Sequence, residues 1–64
     1  MAQHNNHVKA WQHTKALLQA DIMASRYLGD ANEAAERGQQ AKADRLYVKC
    51  QYWLDRYNKL SGNA

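Results

Sequence analysis

The fold of this chain is decided by residues 43–60, ADRLYVKCQYWLDRYNKL. Apolar and small side chains recur there at intervals of three and four residues, which is the spacing of heptad a and d positions on one face of an α-helix. These positions are Ala43, Leu46, Cys50, Trp53, Tyr57 and Leu60. Mostly charged and amide side chains cover the rest of the circumference, so the pattern predicts an amphipathic helix over about residues 41–60, with Gly62 just beyond its end.

The first half of the chain is apolar on two nearly opposite faces of a helix. One face holds Val8, Trp11, Leu18 and Ile22, and the other holds Met23, Tyr27 and the alanines Ala16, Ala20, Ala24 and Ala31. The pattern predicts a long helix over about residues 8–37, preceded by a disordered tail at residues 1–7. A helix that is apolar over most of its circumference needs neighbours on more than one side.

The boundary between the two helices has two candidate positions. Gly38 follows the cationic Arg37, as a glycine just past a helix C-terminus does, and predicts a turn over about residues 38–40. Gly29 followed by Asp30 is the alternative, because Asp30 and Glu33 have the spacing of a capping box. The Gly38 turn is favoured and predicts an antiparallel two-helix hairpin, whereas a break at Gly29 predicts a third, short helix.

The 64 residues are enough for a single all-α domain with a very small core. Apolar burial and conformational entropy nearly cancel in a chain of this size, so such proteins usually depend on disulfides, a metal or oligomerisation. Cys50 is the only cysteine, which excludes an intrachain disulfide and a zinc site built from several cysteines. We therefore expect the hairpin to complete a four-helix bundle as a homodimer.

The residues expected in the core or the oligomer interface lie on the apolar faces of both helices. They are Val8, Trp11, Leu18, Ile22, Met23, Tyr27, Leu46, Cys50, Trp53, Tyr57 and Leu60.

No pattern of catalytic or cofactor-binding residues is found. There is no glycine-rich phosphate loop, the acidic residues are dispersed, and Cys50 occupies an a position where a small apolar side chain suffices. His4 and His7 are spaced i, i+3, but no carboxylate precedes Asp21, so we expect no metal site. The sequence indicates a protein that is not an enzyme and carries no cofactor.

The chain has no apolar segment that resembles a secretory signal or a membrane span. With a single cysteine it fits a reducing compartment, and we expect a cytoplasmic protein with no membrane association.

Positive charge exceeds negative charge, with nine Lys and Arg against six Asp and Glu and a net charge of +3. The excess lies on the polar side of the second helix, beside an apolar residue and an aromatic residue that the helix pattern leaves exposed. This candidate partner-binding patch comprises Arg45, Val48, Lys49, Tyr52 and Arg56. Basic residues beside an aromatic ring also suit single-stranded nucleic acid, so a nucleic-acid partner is kept as the alternative to a protein partner.

Two resemblances accompany this pattern. Gly38, Ala43, Tyr47 and Cys50 have the spacing of the second half of a tetratricopeptide-type hairpin, but Asp30 and Ala31 depart from its first half. In length, helix content and heptad pattern the chain also resembles the small plasmid-encoded Rop-type hairpin dimers, which bind RNA. No motif is shared with them, so no family is assigned.

The sequence thus predicts a small interaction or regulatory module that binds a partner protein. It would suit an accessory protein of a bacterium, plasmid or phage. A nucleic-acid-binding regulator built as a Rop-like dimer is the alternative.

Overall fold

A computed structural model describes the backbone of residues 2–62 and the side chains of residues 10–62. It contains two α-helices, α1 (Ala2–Glu36) and α2 (Gln40–Leu60), which pack against each other as a hairpin. The predicted all-α class and the two-helix hairpin are confirmed. The pairing of two hairpins in a four-helix bundle stays a prediction.

The first helix is continuous through Gly29, so the third, short helix does not form. Alanines at 31, 34 and 35 favour the helix beyond this glycine, and Arg37 Nη2 lies 2.7 Å from Glu33 Oε1 in the last turn. The helix begins at Ala2, six residues before the start expected from the sequence, which placed a disordered tail over residues 1–7. No proline or glycine lies before Gly29 to interrupt it.

The turn between the helices is a Schellman motif centred on Gly38. The Gly38 N–H donates to the Ala35 carbonyl at 3.0 Å, and the Gln39 N–H donates to the Ala34 carbonyl at 2.9 Å. Gly38 has φ 76°, a left-handed conformation that side chains with a Cβ adopt only at a cost. The motif satisfies two terminal carbonyls of α1 and reverses the chain within three residues, which makes α1 and α2 antiparallel.

The interface between α1 and α2 is built from small side chains. Its buried residues are Ala20, Ala24, Ala31, Ala34, Ala43 and Cys50. Among the described residues, no side chain larger than that of cysteine is buried, and the bulkier Met23, Tyr27, Leu46, Trp53 and Leu60 line the margins half-buried. The alanine face of α1 is therefore the one that packs against α2.

The hairpin is elongated and thin. It measures 55 × 18 × 12 Å, and its radius of gyration is 15.6 Å, against about 11 Å for a compact domain of this length. With 35 residues against 21, α1 is much longer than α2. Because the turn joins the C-terminus of α1 to α2, the N-terminal end of α1 extends past the end of α2. This extension carries Trp11.

Candidate interaction surfaces

The side of α1 that faces away from α2 carries three large apolar side chains, and we call it the outer α1 face. They are Trp11, Leu18 and Ile22, which are 61%, 58% and 50% exposed. At about 100° per residue they lie opposite the buried alanines, so a single α2 cannot cover both faces. Val8, which the sequence places with them, lies outside the described side chains.

The outer α1 face has a shallow groove and one cation close to its tryptophan. Lys15 Nζ lies 5.3 Å from the centre of the Trp11 ring, within the range of a cation–π contact along one helix turn. An open groove lies just C-terminal to Trp11 along α1. It is lined by Lys15, Leu18, Gln19, Ile22 and Met23. The groove is open to solvent and suits an extended partner surface better than a small ligand.

The α2 patch, formed by Arg45, Val48, Lys49, Tyr52 and Arg56, is exposed at every position. Val48 is 70% exposed and Tyr52 57% exposed, on the side of α2 away from α1. The Tyr52 ring packs edge-on against Trp53, with ring centres 5.3 Å apart at 84°. This contact restrains an exposed aromatic side chain, which lowers the entropy cost of using it in an interface.

The charges of α2 are separated to its two flanks. Lys49 Nζ lies 5.6 Å above the Tyr27 ring, so one basic residue of the patch also helps to hold the two helices together. On the opposite flank, Gln40 and Gln51 donate hydrogen bonds of 2.7 Å and 2.9 Å to Asp44 and Asp55. In the patch, the apolar residues Val48 and Tyr52 therefore lie between basic residues on one side and an acidic and amide strip on the other.

The remaining residues singled out in the sequence are divided between the interior and the surface. Cys50 is buried in the helix interface as a free thiol, and Tyr57 is 37% exposed at its edge. His13 is exposed, whereas His4 and His7 lie outside the described side chains. Within residues 10–62 no three His, Cys, Asp or Glu side chains come together as metal ligands would.

Two features of these surfaces were not found by sequence reasoning. Leu28 and Leu54 are 45% and 43% exposed and belong to neither the outer α1 face nor the α2 patch. The Tyr47 side chain also donates a hydrogen bond to Asn32 on the other helix. The two residues are fifteen positions apart in the sequence, and no local pattern predicts their contact.

Neither helix, over its described residues, has the length and apolar character needed to cross a membrane. Comparisons with protein-family models, curated proteins and solved structures found no match to this chain. The functional interpretation therefore rests on the two surfaces.

Proposed function

We propose that this chain is a small non-enzymatic helical module that works by association: it pairs with a second copy of itself through α1, as a dimer of four helices, and binds a partner protein. The observation that carries this proposal is the outer α1 face, where Trp11, Leu18 and Ile22 are each at least half exposed. Three large apolar side chains aligned on one helix face form a patch of the kind that marks an interaction site.

The surface area supports association. The hairpin exposes 5114 Å², whereas a compact folded chain of 7.4 kDa would expose about 4,200 Å². The excess is close to the ~800 Å² that each partner buries in a standard protein interface. One copy of the hairpin thus has about as much surplus surface as one side of a stable dimer requires.

The α2 patch supports the binding of a further protein. It lies on the other helix, so a second copy bound on the outer α1 face would leave it accessible. Its centre is apolar, at Val48 and Tyr52, and its margin carries Arg45, Lys49 and Arg56. A partner with apolar side chains flanked by carboxylates would complement both properties. The single buried thiol at Cys50 fits a reducing compartment, and we place this activity in the cytoplasm.

Sedimentation equilibrium over a range of concentrations tests self-association. We expect a species of twice 7.4 kDa at micromolar concentration and a melting midpoint that rises with protein concentration. The double variant Leu18→Gln, Ile22→Gln should be monomeric. Leu28→Gln is the matched control, because Leu28 is 45% exposed but lies off the outer α1 face. A wild-type chain that sediments as a monomer at about 100 micromolar, with a concentration-independent melt, would refute the proposal.

Copurification from the native host tests partner binding. We expect a protein at a defined molar ratio that is retained by wild type and by Gln51→Ala but lost from Tyr52→Ala. Equal retention by both variants would exclude the α2 patch as the binding surface.

A second candidate function, nucleic-acid binding, is favoured by the basic residues of the α2 patch and the net charge of +3. An electrophoretic mobility shift whose affinity falls with salt, and which is weakened by Arg45→Ala and Arg56→Ala, would support this function over a protein partner. Absence of a shift at about 50 mM salt would exclude it.

A further inference from the structure

We infer that the second copy lies antiparallel along the outer α1 face, in the register that places Trp11 of each copy on Gly29 of the other and Leu18 of each copy on Ile22 of the other. This inference rests on the proposed self-association and adds the orientation and the register of the two helices.

The spacing of these residues supports a two-fold arrangement. Positions 11, 18, 22 and 29 follow one another at intervals of seven, four and seven residues, and they fall within a stripe about 40° wide on a regular helix. Positions 11 and 29 are equally far from residue 20, and so are positions 18 and 22. A two-fold axis at the level of residue 20 therefore pairs the stripe with itself.

The sizes of the paired side chains are complementary in this register. A Cβ built on Gly29 has no atom within 4 Å, so the surface above this glycine is open. Trp11, the largest side chain of the outer α1 face, is 61% exposed and would fill that space in the second copy. The largest side chain then meets the smallest, and Leu18 meets Ile22 at the centre, as in a well-packed helix interface.

The charge distribution along α1 favours the antiparallel orientation. The half before residue 21 carries Lys9 and Lys15 and no acidic residue. The half from residue 21 to residue 36 carries four acidic residues, Asp21, Asp30, Glu33 and Glu36, against the single Arg26. An antiparallel pair places the positive half of each copy beside the negative half of the other, whereas a parallel pair places like charges together.

Two neighbouring pairs in this register bring like charges together. Asp21 lies about two residues along the helix axis from Asp21 of the second copy, because both are next to the two-fold axis at residue 20, but its side chain is exposed to water. Lys15 lies beside Arg26 of the second copy, but both side chains are exposed at the margin of the stripe and reach water.

The two α1 helices overlap over nearly their whole length in this register, since residues 4–36 of each α1 face the same segment of the other copy. The part of α1 that extends past α2 is thereby covered.

A substitution at Gly29 tests the register. Gly29→Leu fills the space assigned to Trp11 of the second copy, and it improves helix propensity within the hairpin, so a loss of association cannot come from a weakened helix. We expect the dimer dissociation constant to rise at least tenfold with unchanged helix content. Gln12→Leu adds the same side chain off the outer α1 face and should leave the constant within a factor of two. An unchanged or tighter Gly29→Leu dimer would overturn the register.

Spin labels at residue 12 test the orientation directly. Gln12→Cys is combined with Cys50→Ala so that each chain carries one reactive thiol. In the proposed register the two labelled positions are about sixteen residues apart along the helix axis, which gives a backbone separation of roughly 25 Å. A separation of about 10 Å would show a parallel pair and overturn the inference. A wild-type chain that stays monomeric refutes the proposed function itself, whereas a dimer with the wrong distance refutes only the orientation and register.

Discussion

Tyr47 Oη donates a 2.6 Å hydrogen bond to Asn32 Oδ1 and so links α2 to α1 at the exposed edge of the hairpin. Of the side-chain hydrogen bonds found among the described residues, it alone joins the two helices. Because the core consists of small side chains, contacts at the edge contribute a larger share of the interhelix stability than they would in a larger domain.

Tyr47→Phe should lower the free energy of unfolding by about 0.5–1 kcal/mol, because it removes the hydroxyl and keeps the ring. Tyr57→Phe is the matched control. Tyr57 has the same exposed fraction, 37%, and its hydroxyl makes no hydrogen bond within the described residues. Urea denaturation of both variants at equal protein concentration measures the difference. Equal midpoints for the two variants would show that the bond to Asn32 contributes nothing.

Ala31→Leu should destabilise the protein by about 1–3 kcal/mol, because Ala31 is fully buried and a larger side chain must separate the two helices. Ala41→Leu adds the same side chain at an exposed position of α2 and should change stability by less than about 0.5 kcal/mol. Thermal unfolding followed by circular dichroism measures both. A stabilised Ala31→Leu variant would mean that the alanine face is not tightly packed against α2.

Gly38→Ala should cost about 1–2 kcal/mol, because residue 38 has φ 76° and the left-handed conformation strains any residue with a Cβ. No atom lies within 4 Å of an added Cβ, so the cost comes from the backbone and not from a clash. Gly38→Asn should cost less, since asparagine tolerates this conformation better. Chemical denaturation measures both variants. If both have the wild-type free energy of unfolding, the left-handed conformation of residue 38 does not limit stability.

Trp53→Ala should lower the free energy of unfolding by roughly 2–3 kcal/mol, which is below the 3–5 kcal/mol of a fully buried tryptophan because Trp53 is only half-buried. Tyr52→Ala, at the adjacent exposed position, should stay within about 0.5 kcal/mol of wild type. Chemical denaturation at fixed protein concentration compares the two. A smaller loss in Trp53→Ala than in Tyr52→Ala would contradict the assignment of Trp53 to the helix interface.

The helices and their turn were predictable because local signals specify them. The three-and-four spacing from Ala43 to Leu60 identifies α2, and Gly38 after Arg37 identifies the turn that the Schellman hydrogen bonds complete. The start of α1 was not predictable in the same way. No glycine or proline occurs among residues 2–8 to mark a boundary, so composition alone could not place the start at Ala2.

The candidate surfaces were only partly predictable. The α2 patch follows from the period of the second helix, and its residues are exposed in the structure. For α1, the sequence showed two apolar faces without indicating which one meets α2. Both faces were therefore assigned to the core or the oligomer interface, and the structure half-buries Met23 and Tyr27 while it leaves Leu18 and Ile22 exposed.

The sequence by itself determined the helical class and favoured the turn at Gly38 over a break at Gly29, because helix period, composition and glycine propensity act over a few neighbouring residues. Only the tertiary structure decided which face of α1 is buried. The small side chains of Ala20, Ala24 and Ala31 allow α2 to approach closely, whereas Trp11, Leu18 and Ile22 would hold it away. That choice is made by packing between segments far apart in the chain, and it leaves the outer α1 face exposed.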